Sequence, residues 1–174
     1  MLTSFVNQSL GALTVAAQIL VLVILAAAFL RKEKVLRFFG DNAVLFALIV
    51  ALIATSGSLF YSEIAGYEPC KLCWFQRIFM YPQVLLLGLA LWKKEGKQIA
   101  PYSVLLSSIG ALIAGYHYLL QLDLVPSLPC SAVGYSVSCS QRFVMQFGYI
   151  TIPLMAFTAF LLIIVLTRTA LKEK

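Results

Sequence analysis

Charged side chains are scarce in this sequence, and their scarcity excludes an ordinary soluble domain. Of 174 residues only 11% are charged, whereas 61% are hydrophobic, and the mean hydropathy is +0.94. Soluble domains carry about 25% charged residues, so this composition indicates an integral membrane protein. No apolar run alternates apolar and polar residues as a membrane β-strand would. The spans must therefore be helices, because each has to satisfy its own backbone hydrogen bonds in lipid.

Five apolar runs are long enough, or nearly so, to cross a hydrocarbon core of about 30 Å, which takes about 20 helical residues. They cover roughly residues 10–30, 43–61, 74–92, 101–121 and 147–167. No basic residue precedes the first run, which therefore does not fit a secretory signal with a charged n-region. The sequence predicts an all-α membrane protein with five spans, the first of which is a retained helix.

The placement of the basic residues predicts the orientation of these spans. Ten of the thirteen lie in three clusters after the first, third and fifth spans: Arg31, Lys32, Lys34 and Arg37; Lys93, Lys94 and Lys97; and Arg168, Lys172 and Lys174. By the positive-inside rule these clusters face the cytoplasm. The N-terminus is then outside, the C-terminus inside, and the loops 62–73 and 122–146 lie on the outer face. The net charge of +6 thus reflects topology and does not indicate nucleic-acid binding.

Cysteine is absent from every predicted span and cytoplasmic loop. Cys70 and Cys73 fall in the first outer loop, and Cys130 and Cys139 fall in the second. Four thiols confined to the oxidising side of a membrane predict two disulfides, or thiols that cycle through disulfides. A four-thiolate zinc site is disfavoured, because the two pairs lie in different loops on that face. We therefore expect no metal.

The first cysteine pair immediately precedes an apolar run. If that run is helical, Cys70 and Cys73 lie at its N-terminus, where unpaired N–H groups and the helix dipole favour a thiolate. Arg77 is four residues after Cys73 and shares its helix face, so its guanidinium favours the thiolate further. This arrangement predicts a redox-active dithiol.

The fourth span contains the only histidine, His117, four residues before Gln121. Both residues share a helix face, and they come to the same depth as Arg77 because the third and fourth spans are antiparallel. A single intramembrane histidine can also simply donate to a neighbouring carbonyl, and this alternative stays open. The small residues 55–58 at the end of the second span predict close helix packing rather than a ligand contact.

Two cysteine pairs on one face suggest a two-step thiol relay, because thiolate attack on a neighbouring disulfide passes electrons from pair to pair. A quinone dissolved in the lipid is a natural final acceptor, with Arg77 and His117 as hydrogen-bond donors. The sequence has no flavin, nicotinamide or haem signature that would supply another acceptor. A non-enzymatic membrane subunit with two structural disulfides is the alternative. However, a Cys-x-x-Cys bridge closes too small a loop to stabilise much.

The segment Cys-Lys-Leu-Cys-Trp-Phe-Gln-Arg at residues 70–77, followed by Tyr81 and Pro82, resembles the signature of the disulfide bond formation protein B (DsbB) family. Gram-positive relatives carry a Cys-x-Leu-Cys-Trp-x-Gln-Arg pattern. The resemblance extends over about residues 43–167, including the His-x-x-x-Gln pair and the second cysteine loop. A bare Cys-x-x-Cys is a weak signal, whereas this longer motif at the start of a membrane helix is specific.

The resemblance implies a protein of the bacterial cytoplasmic membrane that reoxidises a thioredoxin-like thiol oxidase, DsbA, and reduces ubiquinone or menaquinone. Cys70 and Cys73 would be the pair next to the quinone, with the Cys73 thiolate in contact with its ring. Cys130 would form the mixed disulfide with the partner, and Cys139 would be its bridge mate. Only eight residues separate this second pair, fewer than in the better-known Gram-negative members.

The same resemblance implies that Arg77 holds the thiolate and the quinone, with His117 and Gln121 nearby. Residues 43–174 would form a four-helix bundle, and residues 1–42 would be an additional transmembrane helix with a basic cytoplasmic linker. A vitamin K epoxide reductase-like enzyme is an alternative, since it also uses a membrane Cys-x-x-Cys and a quinone. It lacks the Gln-Arg pair that follows the cysteines here.

Overall fold

The computed structural model describes residues 2–126 and 138–172. It contains six α-helices in these ranges: α1 (Leu2–Phe29), α2 (Glu33–Asp41), α3 (Ala43–Leu59), α4 (Lys71–Lys93), α5 (Gly96–Gln121) and α6 (Ile152–Lys172). A π-helical turn, Phe60–Ile64, continues α3. Five helices, α1, α3 with this turn, α4, α5 and α6, are long and apolar enough to cross a membrane. The predicted all-α architecture with five spans is confirmed.

Helices α3 to α6 form a four-helix bundle in which α3 packs on α4, α4 on α5, α5 on α6, and α6 back on α3. Small buried residues such as Ala47 and Ala114 allow these helices to approach closely. The α5–α6 contact is the most extensive, and there the Phe160 ring is fully buried against Gly110. Helix α1 packs along α6 on the outside of the bundle.

The predicted span limits need correction at several helix ends. The first, third and fourth spans begin earlier than predicted, at Leu2, Lys71 and Gly96, because polar residues can continue a helix beyond its apolar run. The fifth span was predicted over residues 147–167 but begins at Ile152. Phe147 and Gly148 have φ values of 51° and 78° and form a turn instead. Pro153 then suits the first helical turn, where its missing N–H costs no hydrogen bond.

The linker between the first two spans is itself helical, which the sequence analysis missed. Helix α2 buries part of its apolar face, including Leu36 and Phe39, against the hydrophobic core, and it packs on α6. Its basic residues Lys34 and Arg37 are exposed. The predicted boundary between residues 1–42 and residues 43–174 therefore falls between α2, which packs on the bundle, and α3, which is part of it. This boundary stays a prediction.

Candidate functional site

The first cysteine pair lies at the start of α4. Cys70 is the N-cap residue, and its Sγ accepts a hydrogen bond from the Cys73 backbone N at 3.4 Å. The two Sγ atoms lie 3.1 Å apart, in hydrogen-bond contact. Cys70 is buried and Cys73 is half-buried. The structure therefore places this pair at a helix N-terminus, where backbone N–H groups point towards sulfur.

The two thiols of this pair are not equivalent. The hydrogen bond to Cys73 and burial together raise the pKa of Cys70 to about 12, because both effects favour the protonated form. Cys70 therefore keeps the shared proton and donates it towards the Cys73 sulfur. Of the two sulfur atoms, Cys73 Sγ is the one placed to carry negative charge.

His117, near the end of α5, connects both cysteine loops. Its Nε2 lies 3.0 Å from the backbone oxygen of Cys139, which can only accept, so Nε2 carries the proton. Its Nδ1 then accepts from Gln76 Nε2 at 2.9 Å. The same Nε2 is 3.7 Å from Cys70 Sγ. The alternative left open above, donation to a carbonyl, is thus what the structure shows, and the carbonyl belongs to a predicted redox cysteine.

Gln121, one turn further along α5, holds the second cysteine loop. Its Nε2 donates to the backbone oxygen of Gln141 at 3.0 Å, and Arg142 donates to its backbone oxygen. An ion pair of 3.6 Å between Arg142 and Asp123 supports the same contact. Cys139 is consequently buried in one small apolar cluster with Cys70 and Leu120.

Arg77 reaches across to α3. It donates from Nε to Ser58 Oγ and from Nη2 to the Ser58 backbone oxygen, both at 3.0 Å. Tyr81 donates to the same Ser58 Oγ at 3.3 Å, and the Arg77 guanidinium lies 5.2 Å from the centre of the Trp74 ring. The segment predicted only to pack helices thus also positions this cation. The role of Arg77 towards the Cys73 thiolate stays a prediction.

These side chains line one end of a cavity of about 360 Å³. Cys70, Cys73, Arg77, His117, Gln121 and Cys139 all contribute to this end. From there the cavity continues between α1, α3, α4 and α6, where its lining is mostly apolar. Volumes of this order are typical of small-molecule sites. The structure therefore brings six of the seven predicted site residues together, whereas Cys130 lies outside the described residues.

Two buried polar atoms of the cavity lining make no hydrogen bond in the part of the chain that the structure describes. They are the Tyr61 hydroxyl and Gln121 Oε1. Tyr61 is 5% exposed and stands in the π-helical turn after α3, a feature that is frequent at functional sites. Buried polar atoms usually have partners. One donor and one acceptor are thus available to a polar ligand.

Three residues of this site were missed by the sequence analysis: Ser58, Tyr61 and Gln76. Gln76 belongs to the cysteine motif, so its position was a usable signal, whereas nothing in the sequence pairs Ser58 with a residue of the next span. The Sγ atoms of Cys70 and Cys73 and a ring nitrogen of His117 lie within 4.8 Å of one another. Both nitrogens of that ring already have hydrogen-bond partners, and the expectation of no metal stays a prediction.

The sequence also matches a known protein family. The family model described as disulfide bond formation protein DsbB matches residues 40–170. The chain belongs to the DsbB family. As a DsbB-family protein, it functions in disulfide bond formation and belongs to a family of disulfide-forming oxidoreductases. Helix α1 lies outside the matched residues.

Curated relatives of this DsbB-family chain carry corresponding names. Probable disulfide formation protein C of Bacillus cereus is 46% identical over 134 residues, which are 77% of this chain and 95% of that protein. Disulfide bond formation protein C of Bacillus subtilis is 46% identical over 121 residues, 67% of this chain and 83% of that protein. The SPbeta prophage-derived disulfide bond formation protein B of Bacillus subtilis is 45% identical over 119 residues, which are 68% of this chain and 78% of that protein. No solved structure matches the chain.

Proposed function

We propose that this protein oxidises a DsbA-type thioredoxin-fold thiol oxidase and passes the two electrons to a membrane quinone, ubiquinone or menaquinone. The observation that carries the proposal is the burial of Cys139 beside Cys70 and Cys73 at the polar end of a cavity that continues into apolar surroundings. This placement joins thiol exchange to a site fit for a lipid-soluble acceptor.

The thiol exchange can be written with balanced electrons. A thiolate of the reduced partner attacks Cys130 in a Cys130–Cys139 disulfide, and the Cys139 thiolate leaves. Cys139 then attacks Cys70 in a Cys70–Cys73 disulfide, and the Cys73 thiolate leaves. The partner's second thiolate attacks its mixed disulfide, releasing an oxidised partner and the Cys130 thiolate. Cys130 finally attacks Cys139, which restores the first bridge and leaves Cys70 and Cys73 reduced.

The described geometry supports the second of these steps. Exchange needs the attacking and attacked sulfur atoms close together, and Cys139 shares a buried cluster with Cys70. The hydrogen bond from His117 fixes the backbone of Cys139 there. Although only eight residues separate Cys130 from Cys139, Cys139 lies in the same cluster as Cys70.

A quinone is a polar ring that accepts two electrons and two protons at its two oxygen atoms. The unpaired Tyr61 hydroxyl can donate to such an oxygen, and the unpaired Gln121 Oε1 can accept from the reduced form. Arg77, fixed by Ser58, supplies a cation on the helix face of Cys73. The residues present thus fit a quinone, with Cys73 as the thiolate that delivers electrons.

The orientation of the chain belongs to the same proposal. The three basic clusters would face the cytoplasm, and both cysteine loops would lie outside the cytoplasmic membrane. This side of the membrane is where a disulfide-introducing partner works, because disulfides persist in oxidising compartments.

The proposal is tested with purified protein, a reduced DsbA-type oxidase and a soluble quinone, whose absorbance falls on reduction. Wild-type protein should consume quinone, and Cys73→Ser should not, because no thiolate then delivers electrons. Cys73→Ser should still accumulate a mixed disulfide between Cys130 and the partner, which non-reducing electrophoresis detects. Full quinone turnover by Cys73→Ser would remove Cys73 from the mechanism. A wild-type protein inert to both reagents would favour structural disulfides instead.

A further inference from the structure

Helix α1 lies outside the family match, which begins at residue 40, yet it forms one wall of the cavity. Its lining residues are spaced along one side of the helix: Leu10, Leu13, Thr14, Ala16, Ala17 and Leu20. At 1.5 Å per residue, these residues span about 15 Å of helix. The cavity is therefore longer than the cluster of polar groups around the cysteines.

Direct contacts hold α1 in this place. Gln18 accepts a hydrogen bond from the Tyr149 hydroxyl at 3.1 Å and donates to Thr158 Oγ1 at 3.4 Å. A Cβ atom on Gly57 of α3 would lie only 3.1 Å from Leu10 Cδ1. Helix α1 is thus bound to α6, to α3 and to the loop that carries Cys139, and it is a fixed part of the cavity wall.

The cavity opens between α1 and α3. Leu13 is 49% exposed and Ile53 is 39% exposed, and both line the cavity. Ala16 is also exposed and also lines it. Side chains that are both exposed and cavity-lining mark an opening. Leu13, Ile53 and Ala16 lie within spans that are apolar enough to cross a membrane, so the mouth between α1 and α3 faces the hydrocarbon of the bilayer. The polar end has a second opening, marked by three further exposed lining residues: Glu68, Ser138 and Gln141.

Polarity changes along the cavity. The end at Cys73, Arg77 and Gln121 is polar. The lining contributed by α1 and by residues 50, 53 and 54 of α3 is apolar except for Thr14, whose hydroxyl donates to the backbone of its own helix. An amphiphile with a polar ring and a long hydrocarbon chain matches this gradient. Burial of the hydrocarbon chain against this apolar lining stabilises the bound amphiphile by about 25 cal/mol per Å² of apolar surface removed from water.

We propose that the apolar part of the cavity, walled by α1, binds the polyisoprenoid tail of the quinone, and that this tail passes to the membrane between α1 and α3. The proposal rests on the proposed function and adds a substrate preference to it. Helix α1 makes the protein selective for quinones that carry a tail over quinones that consist of the bare ring.

Two exposed alanines on α1 provide the test. Ala16 lines the mouth, whereas Ala12 is also exposed but does not line the cavity. Side chains on a helix lean towards its N-terminus, so Ala16→Trp narrows the mouth and Ala12→Trp leans away from it. Both changes are at exposed positions and leave the bundle core untouched.

The KM for quinone is measured with menadione, which has no tail, and with menaquinone carrying a four-isoprene chain. Ala16→Trp should raise the KM for the tailed quinone about tenfold, the equivalent of roughly 1.4 kcal/mol, and leave the KM for menadione within about twofold. Ala12→Trp should change neither. An equal rise in KM for both quinones would overturn the proposal. An unchanged KM for both would also overturn it, and this result is expected if a phospholipid acyl chain fills the apolar part of the cavity.

A second readout does not depend on turnover. Menaquinone with a photoreactive diazirine at the end of its chain is cross-linked to wild-type protein in nanodiscs, and the labelled peptide is identified by mass spectrometry. Label should fall on residues 10–20 and on α3. Label confined to other helices would overturn the proposal. A wild-type protein that reduces neither quinone would overturn the proposed function, and labelling of α1 in that case would leave the chain-binding site standing.

Discussion

Each nitrogen of His117 has a defined partner, and these partners determine what the ring can do. Nε2 donates to the Cys139 backbone oxygen and Nδ1 accepts from Gln76. A ring engaged in this way has no unoccupied nitrogen that could take the thiol proton of Cys70. Its role in the proposed reaction is therefore to position Cys139 next to the first cysteine pair.

Ser58 is expected to act through Arg77. Ser58→Ala removes the Oγ that accepts from Arg77 Nε, and hydrogen bonds to charged groups contribute about 1.5–3 kcal/mol. Arg77 keeps its hydrogen bond to the Ser58 backbone oxygen, so only part of this energy is lost. We expect the KM for quinone to rise about three- to tenfold, roughly 0.7–1.4 kcal/mol, with little change in kcat. Ser56→Ala, at an exposed position outside the cavity lining, is the control. Equal KM values in both variants would show that the contact serves packing alone.

Cys70 provides a prediction about pH. The hydrogen bond to Cys73 is the main cause of its raised pKa, followed by burial, so Cys73→Ala should lower the pKa of Cys70 towards its ordinary range. Because thiolate reacts and thiol does not, the reduced variant should be alkylated at Cys70 at lower pH than reduced wild type. Lowering the pKa by about one raises the thiolate fraction near pH 8, and with it the alkylation rate, about tenfold. Alkylation rates of Cys70 are measured by mass spectrometry. If these rates are equal in the variant and in wild type, the hydrogen bond to Cys73 is not the cause of the raised pKa.

Among the elements, the α5–α6 contact depends on a missing side chain. A Cβ on Gly110 would overlap the ring of Phe160, which is fully buried. Gly110→Ala should therefore lower the free energy of unfolding by about 1–3 kcal/mol, as overpacking does. Gly88→Ala is the matched control, since no atom lies within 4 Å of its built Cβ and alanine favours a helix. The free energy of unfolding is measured in detergent. Equal values for the two variants would contradict the proposed overlap with Phe160.

The spans themselves could be predicted, because length and hydrophobicity directly reflect the thickness of the bilayer. Their ends could not, since capping and turns depend on single residues. Phe147 and Gly148 form a turn where an apolar run suggested helix. Helix α2 was missed because its amphipathic pattern covers only nine residues in a segment dominated by basic charge.

At the scale of the whole molecule, the motif located one half of the site and helix packing supplied the other. Cys70, Cys73 and Arg77 are close in sequence, so their proximity could be predicted. The contact of Arg77 with Ser58 and that of His117 with Gln76 bridge 19 and 41 residues. These contacts depend on which helices are neighbours and on how each is rotated. Neither property can be derived from spacing within one span.

The orientation of the whole chain yields a labelling prediction. In a variant whose cysteines are replaced by serine, Glu63→Cys should react with a membrane-impermeant maleimide in intact cells. Glu95→Cys should react only after permeabilisation, because the basic cluster around it is expected inside. Both glutamates are exposed, so differences in burial do not explain the result. The reverse labelling pattern would place the cysteine loops in the cytoplasm and contradict the proposed orientation.

All redox groups that the structure describes lie at one end of the bundle, where α4 begins and α5 ends. In the proposed reaction, the protons that thiols release and those that accompany the electrons are exchanged at that same surface. Turnover then carries no net charge through the bilayer. In proteoliposomes its rate should be the same with and without a potassium diffusion potential set by valinomycin. The protein would deliver reducing equivalents to the respiratory chain without itself contributing to the electrochemical gradient.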